Sequence, residues 1–268
     1  MERRSNRRGV LAAGLAGATL GLLPRLPLGT PVRVVRAAES LDPSFAPTFP
    51  KDPFTDFETA MGFAVRRGGS RIGTHRLAFA RPGPGRLDVA IDIDLEVTFG
   101  PFTLYRYTHR NRTRWAGGRL LSLATDTDDD GTAHRVRAER DNAGALTVTA
   151  DGATRTLPGD VLPTSYWMSA TVDQSRLLNT QTGELAEVDV QRLGTRRQAV
   201  PEGEVTARGY AVSGDLDLKV WYDDAGRWVG LSFDGKGERI TYHLNARRGD
   251  LPTAPPLSGP AAAGDGAT

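Results

Sequence analysis

The sequence predicts a mainly β fold: a strongly curved antiparallel sheet, a half-barrel or open barrel, with one or two short helices packed on the concave side. Three observations carry this prediction. Apolar and polar residues alternate over many short segments, turns rich in Gly, Asp and Asn separate the segments, and a new segment begins about every ten residues. Alternation with period two is typical of a strand with one buried and one hydrated face. Regular spacing by turns is typical of all-β sandwiches and barrels.

The stretch 205–244 shows this pattern most completely. A first strand alternates around Leu218, and the turn Asp223–Gly226 reverses the chain. The return strand begins at Trp228, and a second turn leads to a third strand around Tyr242. Asp and Gly suit tight reversals because they tolerate the backbone angles that such turns need. The stretch is therefore an antiparallel meander.

The same reasoning applies to the chain before residue 150, where we expect the structure to begin near Phe57. The longest alternation runs from Leu87 to Val97, and its opposite face carries four carboxylates, which we interpret as a hydrated outer surface rather than an acid–base pair. At least eight strands are predicted in all. The predicted segments before residue 150 are 57–65, 72–79, 87–97, 102–115, 120–125, 134–138 and 146–150.

The segment 159–182 is the exception, because strand alternation fails there. Thr164 or Ser165 can cap a helix, and Tyr166, with Met168 and the leucines further along, can pack inward. We expect one or two short helices laid against the concave side of the sheet, with strands resuming from 184 to 192.

The N-terminus reads as an export signal. Arg7 and Arg8 precede Val10 and Leu11, which begin a short Gly/Ala-rich apolar run that ends near residue 23. The run is shorter than the about 20 apolar residues of a spanning helix, and paired arginines ahead of a modest apolar run indicate twin-arginine export. The alternative is an uncleaved, disordered basic tail.

Small residues at the end of this signal indicate where it is cleaved. Val35 and Ala37 suit positions −3 and −1, so we expect cleavage after Ala37. The twin-arginine machinery is then a partner, and the location is periplasmic or extracellular. The domain prediction is a signal at 1–37, an extended linker at 38–56, a single β-rich domain at 57–248 and a disordered tail at 249–268.

Charge and composition exclude several classes of function. The chain holds 34 basic and 32 acidic residues; removing the seven arginines and one glutamate of residues 1–37 leaves 27 basic and 31 acidic residues, a formal charge of −4. A mildly acidic body argues against nucleic-acid binding. The mature chain carries no predicted transmembrane span. The absence of cysteine excludes disulfides, a thiolate nucleophile and N-terminal acylation on cysteine.

No motif for catalysis or metal binding is complete. Asp126, Asp128 and Asp130 open like a calcium loop, but Arg137 occupies the position of the bidentate glutamate, which favours a hairpin turn. The four histidines lack metal-ligand spacing. We therefore predict no metal, no cofactor and no assigned catalytic residue, and whether the protein is an enzyme stays open, with no activity as the favoured answer.

The aromatic residues suggest a second role besides core packing. A curved sheet with a helix on its inner face often encloses a cavity for an apolar ligand, and large aromatics fill cores otherwise. The candidate ligand-lining residues are Tyr166, Trp167, Tyr105, Tyr107 and Trp221.

Several short motifs together resemble a family of exported bacterial proteins of unknown function. The resemblance covers about residues 57–245 and implies a curved antiparallel sheet around a helix, similar to periplasmic lipoprotein carriers, without implying catalytic residues. The motifs are the hairpin 63–79 with its paired glycines, Trp115-x-x-Gly118-Arg119-Leu120, Asp129-Asp130-Gly131, Pro163-Thr164-Ser165-Tyr166-Trp167, Leu178-Asn179-Thr180-x-Thr182-Gly183 and Trp221-Tyr222-Asp223-x-x-Gly226-Arg227-Trp228.

Three functional hypotheses follow. The first is an exported protein that binds an apolar or amphipathic ligand, or assists envelope assembly, inside its curved sheet. The second is a structural or protein-interaction module with a solid core. The third is a hydrolase that uses carboxylates with His109 or His75. An open concave face would favour the first hypothesis, and a filled one the second.

Overall fold

A computed structural model describes residues 59–235 and 237–251, which form one large curved sheet of fifteen strands that does not close into a barrel. This confirms the predicted fold class. The strands are β1 (Thr59–Arg67), β2 (Ser70–Ala80), β3 (Arg86–Phe99), β4 (Phe102–Ala116), β5 (Arg119–Asp129), β6 (Thr132–Arg140), β7 (Leu146–Ala150), β8 (Ala153–Leu157), β9 (Leu162–Pro163), β10 (Arg176–Leu178), β11 (Leu185–Val200), β12 (Gly203–Gly214), β13 (Leu218–Asp223), β14 (Trp228–Gly235) and β15 (Glu238–Arg248).

The sheet is a meander in which almost every strand pairs with its neighbours in the chain. The order is β8-β7-β6-β5-β4-β3-β2-β1-β15-β14-β13-β12-β11-β10-β9. β1 pairs antiparallel with β15, which joins the first and last strands of the described chain. β9 and β10 form the one parallel pair among the described strands. The two edges are β8 and β9, at opposite ends of the order.

The register places apolar residues of neighbouring strands in rows on the concave face. In one row Phe63 lies opposite His75, His75 opposite Ile93, and Ile93 opposite His109. In the neighbouring row the backbones of β2 and β3 approach so closely that only glycine fits at position 73. A Cβ on Gly73 would lie 1.9 Å from the carbonyl oxygen of Asp94. The buried core thus runs along the inside of the curved sheet.

The convex face carries a ladder of ion pairs between β3 and β4. The guanidinium of Arg112 pairs with the carboxylate of Asp92 at an N–O distance of 2.8 Å, and that of Arg110 pairs with Asp94 at 2.5 Å. The prediction of a hydrated outer surface therefore needs one correction: the side chain of Asp92 is only 6% exposed, because arginines of the next strand lie over it. β5 and β6 form the predicted hairpin, but its turn is Asp130–Gly131, and the acidic stretch 126–129 belongs to β5.

The connection from β8 to β11 runs across the concave face, and we call residues 158–184 the crossing segment. It contains β9, β10 and a 3-10 helix at Ser169–Asp173. The N-cap residue of this helix is Met168, and no side chain caps the helix. The prediction that Thr164 or Ser165 caps a helix is therefore wrong. The Oγ1 of Thr164 instead accepts the backbone N–H of Thr180 at 3.1 Å, and the backbone N–H of Ser165 donates to the carbonyl of Pro163.

Most of the predicted terminal segments lie outside the described residues. This holds for the export signal, the linker and the tail after residue 251. Within residues 59–235 and 237–251, no helix has the length and apolar character needed to cross a membrane.

Candidate functional site

Hydrogen bonds from sheet side chains anchor the crossing segment to the concave face. The hydroxyl of Tyr222 donates to the carbonyl of Tyr166 at 2.8 Å. At the other end of the segment, the hydroxyl of Tyr107 donates to Oε1 of Gln181 at 3.2 Å, and Nε2 of Gln181 donates to Asp129 at 3.3 Å. Because these groups are buried, each bond satisfies a polar atom that water cannot reach.

Aromatic packing fills the space between the anchors. The ring of Trp167 meets Phe79 and Trp115 edge to face, with centroids 5.5 and 5.7 Å apart. The ring of Tyr166 lies 6.4 Å from that of Trp228. The crossing segment is thus packed into the core like any strand of the sheet.

A small pocket remains between the crossing segment and the sheet. Its volume is about 20 Å³, which accommodates about one water molecule, whereas pockets for small organic ligands measure about 300–1,000 Å³. Its lining mixes apolar side chains with histidine, amide and hydroxyl groups. The lining residues are His75, Ile91, Ile93, His109, Asn111, Thr164, Ser165, Tyr166, Thr180, Leu218, Trp228, Leu231, Phe233 and Tyr242.

His75 is enclosed by aromatic rings. Its centroid lies 5.2 Å from that of Trp228, 5.6 Å from Tyr242 and 6.1 Å from Phe63. Neither ring nitrogen has a hydrogen-bond partner. Burial, and then the charge of His109, lower the pKa of His75 to about 3. The imidazole is therefore neutral at physiological pH.

His109 is the second buried imidazole of the pocket. Its Nδ1 is 2.7 Å from Oγ1 of Thr127. Burial first, and then the charges of Arg110 and Arg112, lower the pKa of His109 to about 3. Both histidines are thus neutral groups that can donate or accept hydrogen bonds without carrying charge.

Two further polar side chains of the pocket lack partners. These are Oδ1 of Asn111 and the hydroxyl of Tyr166. The backbone of Tyr166 also has a φ of 56°, in the left-handed region that tyrosine rarely adopts. Strained backbone and unsatisfied buried groups often mark binding or switching sites. A water bound among Asn111, Tyr166 and His75 is the simplest ligand that the pocket can take.

The pocket does not have the arrangement of a hydrolytic site. Its lining contains no carboxylate, and Ser165 makes no hydrogen bond to either histidine. Across the described part of the chain, no cluster of three or more His, Cys, Asp or Glu side chains could hold a metal ion. The size and the uncharged polar lining of the pocket suit one water molecule.

Residues 63–245 match a family described as a domain of unknown function, DUF6134. The chain belongs to this family. A solved structure, the β-barrel-like protein of domain of unknown function DUF1849 from Brucella abortus, is 13% identical, with a TM-score of 0.49, over 69% of this chain and 94% of that chain. Among curated proteins, none matches.

Three of the five predicted ligand-lining aromatics of the DUF6134 domain are buried between the sheet and the crossing segment, with Tyr107 at the opposite end from Tyr166 and Trp167. Tyr166, Trp167 and Tyr107 are buried on the concave face, and Tyr166 borders the pocket. Tyr105 is half-buried, and its hydroxyl donates to Asp129 at 2.7 Å. These residues hold or form the crossing segment's contact with the sheet.

Trp221 lies on the opposite face of the DUF6134 sheet. The neighbouring Tyr222 points to the crossing segment, and successive strand side chains alternate faces. The guanidinium of Arg196 sits 3.5 Å from the centroid of the Trp221 ring, a cation–π contact. Trp221 therefore lies on the convex face and is separated from the pocket.

Sequence reasoning named His75 and His109 only as candidates for a hydrolase that uses carboxylates; it did not predict that they share a pocket with Asn111. His75 has the same parity along β2 as the buried Leu77, and His109 and Asn111 share the parity of Tyr107 along β4. That parity was the available signal that these residues face inward. Their meeting depends on the register across β2, β3 and β4.

Proposed function

We propose that this DUF6134 protein is an exported module with a solid core, which acts at the extracytoplasmic side through its outer surface. The observation that carries this proposal is the crossing segment, whose buried residues occupy the concave face and leave about 20 Å³. A carrier of apolar ligands needs an inner volume at least an order of magnitude larger. In this conformation the described residues leave no such volume.

The export part of the proposal rests on the N-terminal sequence. Arg7 and Arg8 precede the apolar run that begins at Val10, and Val35 and Ala37 suit a cleavage site. A protein that folds quickly without disulfides fits export in the folded state, and the chain has no cysteine.

Substitution of the arginine pair tests export. The variant R7K/R8K should retain the uncleaved precursor in the cytoplasm of a bacterium with a twin-arginine translocase, because that machinery reads the pair itself rather than its charge. The control variant R3K/R4K makes the same chemical change outside the pair and should be exported and cleaved. Cell fractionation with mass determination of the product measures both. Normal export of R7K/R8K would exclude the twin-arginine route.

Native mass spectrometry tests the solid core. Protein recovered from the extracytoplasmic fraction should show the mass of the cleaved chain alone, and organic extraction of the same sample should release no stoichiometric lipid. A bound lipid at one copy per chain would contradict the solid core and revive the carrier hypothesis.

A second candidate function is ligand binding after displacement of the crossing segment. The left-handed backbone of Tyr166 and its unsatisfied hydroxyl favour it, because both costs disappear when the segment leaves the pocket. The sheet residues that the segment now covers, Tyr107 among them, would then line the opened cavity, and Tyr166 and Trp167 would leave with the segment.

A reversible crosslink tests this candidate. Met168 and Arg227 form an isolated antiparallel bridge, and such pairs have Cα separations of about 4.5–5.5 Å that a disulfide can span. The variant M168C/R227C should take up an apolar fluorescent probe only when reduced. The single variants M168C and R227C control for the substitutions. Equal probe binding by oxidised and reduced protein would eliminate displacement.

A further inference from the structure

The hairpin between β3 and β4 ends in an exposed apolar tip. Phe99, Phe102 and Leu104 are 75%, 67% and 61% exposed. Four large hydrophobic side chains are exposed among the described residues, and this hairpin holds three of them. Scattered exposed apolar residues are ordinary on protein surfaces, but a cluster of large ones marks an interaction site.

This tip continues beyond the last pairs that β3 and β4 make with their outer neighbours. The pairing of β2 with β3 ends at Gly73↔Leu95, and that of β4 with β5 ends at Tyr107↔Asp129. β3 and β4 continue to pair with each other as far as Phe99↔Phe102. Four residues past Leu95 extend about 13 Å. The tip is therefore a convex finger.

Unpaired arginines lie beside the finger at the same end of the sheet. Arg66, Arg67 and Arg71 belong to the hairpin of β1 and β2, and β2 is the neighbour of β3. Within residues 59–235 and 237–251, none of the three forms an ion pair; Arg66 only donates to the carbonyl of Gly69.

The acidic groups at this end lie mainly on the β5–β6 side of the finger. Asp128 accepts the backbone N–H of Gly131, and Asp130 accepts that of Arg106. Glu96 pairs with Arg106 at 2.8 Å. Asp128 and Asp130 keep their negative charge, because a backbone N–H does not neutralise a carboxylate. The positive charge beside the tip is therefore on the β1–β2 side, where the carboxylate of Glu238 lies close to the turn at Gly68.

We propose that the β3–β4 hairpin docks this protein onto an anionic phospholipid membrane: Phe99, Phe102 and Leu104 insert among the lipids, and the arginines of the β1–β2 hairpin contact phosphates. The length of the finger matches the about 5–10 Å to which interfacial segments bury. Arginines near a membrane surface add attraction to anionic lipids. A stable protein partner needs about 800 Å² per side, more than three side chains on a convex finger offer.

This inference rests on the proposed function in one respect, that the outer surface is the working surface. It deepens that proposal by naming the surface and the class of partner. The assay below uses purified protein and vesicles, so its outcome is independent of export and of the state of the pocket.

A single labelled cysteine reports insertion locally, because the chain has no cysteine of its own. The full-length variant T103C, labelled with an environment-sensitive fluorophore, should show a blue shift with vesicles of phosphatidylethanolamine and phosphatidylglycerol. The matched label at N142C, in the exposed turn between β6 and β7 at the opposite end of the strands, should show none. A shift at both positions, or at neither, overturns insertion by the tip.

Substitution of the tip tests which side chains bind. In the labelled protein, F99S/F102S should weaken vesicle binding about tenfold for each phenylalanine. The control L193S removes the remaining exposed large hydrophobic of the described residues, on β11, and should bind normally. Circular dichroism and thermal melting verify that both variants fold. Unchanged binding of folded F99S/F102S would refute the proposal.

The arginines give a separate, charge-dependent readout. The variant R66Q/R67Q/R71Q should bind anionic vesicles about fivefold more weakly for each arginine that is replaced. Added salt should weaken vesicle binding by the parent protein but not by this variant. Binding that is indifferent to anionic lipid and to salt overturns the phosphate contacts. Sedimentation in the absence of vesicles tests whether a second copy of the chain covers the tip instead. If the parent protein self-associates, F99S/F102S abolishes this self-association, and the parent does not bind vesicles, the tip is a contact between two copies and the membrane proposal is overturned.

Discussion

At the scale of single residues, His75 makes stability depend on pH. Its pKa is about 3 in the folded protein and about 6.5 when unfolded. Above pH 6.5 neither state binds the proton; as the pH falls from 6.5 toward 3, only the unfolded state does. The free energy of unfolding therefore falls over that window, by up to about 1.4 kcal/mol per pH unit for His75 and a similar amount for His109.

The variant H75F should remove about half of this pH dependence. Phenylalanine fits among the rings of Phe63, Trp228 and Tyr242 and removes two ring nitrogens that have no partner. At pH 7.5 its unfolding free energy should lie within about 1 kcal/mol of the parent value or above it. Denaturant titrations at pH 7.5 and 5 measure both quantities. A full slope in H75F would show that His75 is not the titrating group.

At the scale of elements, the crossing segment should behave as part of the core. W167A removes an indole packed against Phe79 and Trp115, which should cost about 3–5 kcal/mol. L193A, at a half-exposed position, should change stability by less than about 0.5 kcal/mol. Chemical denaturation measures both. A cost below about 1 kcal/mol for W167A would mean that the segment is loosely held.

The sequence predicted the strands well and the crossing segment poorly, for a physical reason. Along β3, Val89, Ile91 and Leu95 are buried as their alternation predicts, because a strand's faces follow from local periodicity. The crossing segment takes its shape from partners far away in the chain, as when Tyr222 donates to the carbonyl of Tyr166. No local capping signal reports such a contact, so the predicted helix became one 3-10 turn.

The candidate site was predictable to a similar degree. Aromatics at 166 and 167 were placed on the concave side, and burial there follows from their size. His75 and His109 were candidates for a hydrolase, but their shared pocket could not be predicted, because the two residues meet only through the register of three strands. Asp92 shows the same limit on the convex face, where Arg112 of the next strand covers a carboxylate that alternation alone assigns to water.

At the scale of the whole molecule, the pairing of β1 with β15 brings the ends of the described domain together. Ala60 lies directly opposite Arg248, so their Cα atoms are about 4.5–5.5 Å apart. Since nearly all other strands pair with chain neighbours, the domain's continuity depends on this one pairing between distant segments. A short flexible linker between residues 251 and 59 would preserve it.

A circular permutant should therefore fold when its new ends lie in the exposed turn between Asn142 and Ala143. It keeps every strand pair, including β1–β15, and opens the chain near the β8 edge, where Arg140 joins the turn to the start of the crossing segment through the carbonyls of Gly144 and Gly159. Its melting temperature and far-UV circular dichroism should approach those of the unpermuted domain. A permutant opened within β4, between His109 and Arg110, cuts the strand that supplies Tyr107 and the pocket histidine, and should not fold cooperatively. If the first permutant also failed, the order of the meander, and not only its pairing, would be needed for folding.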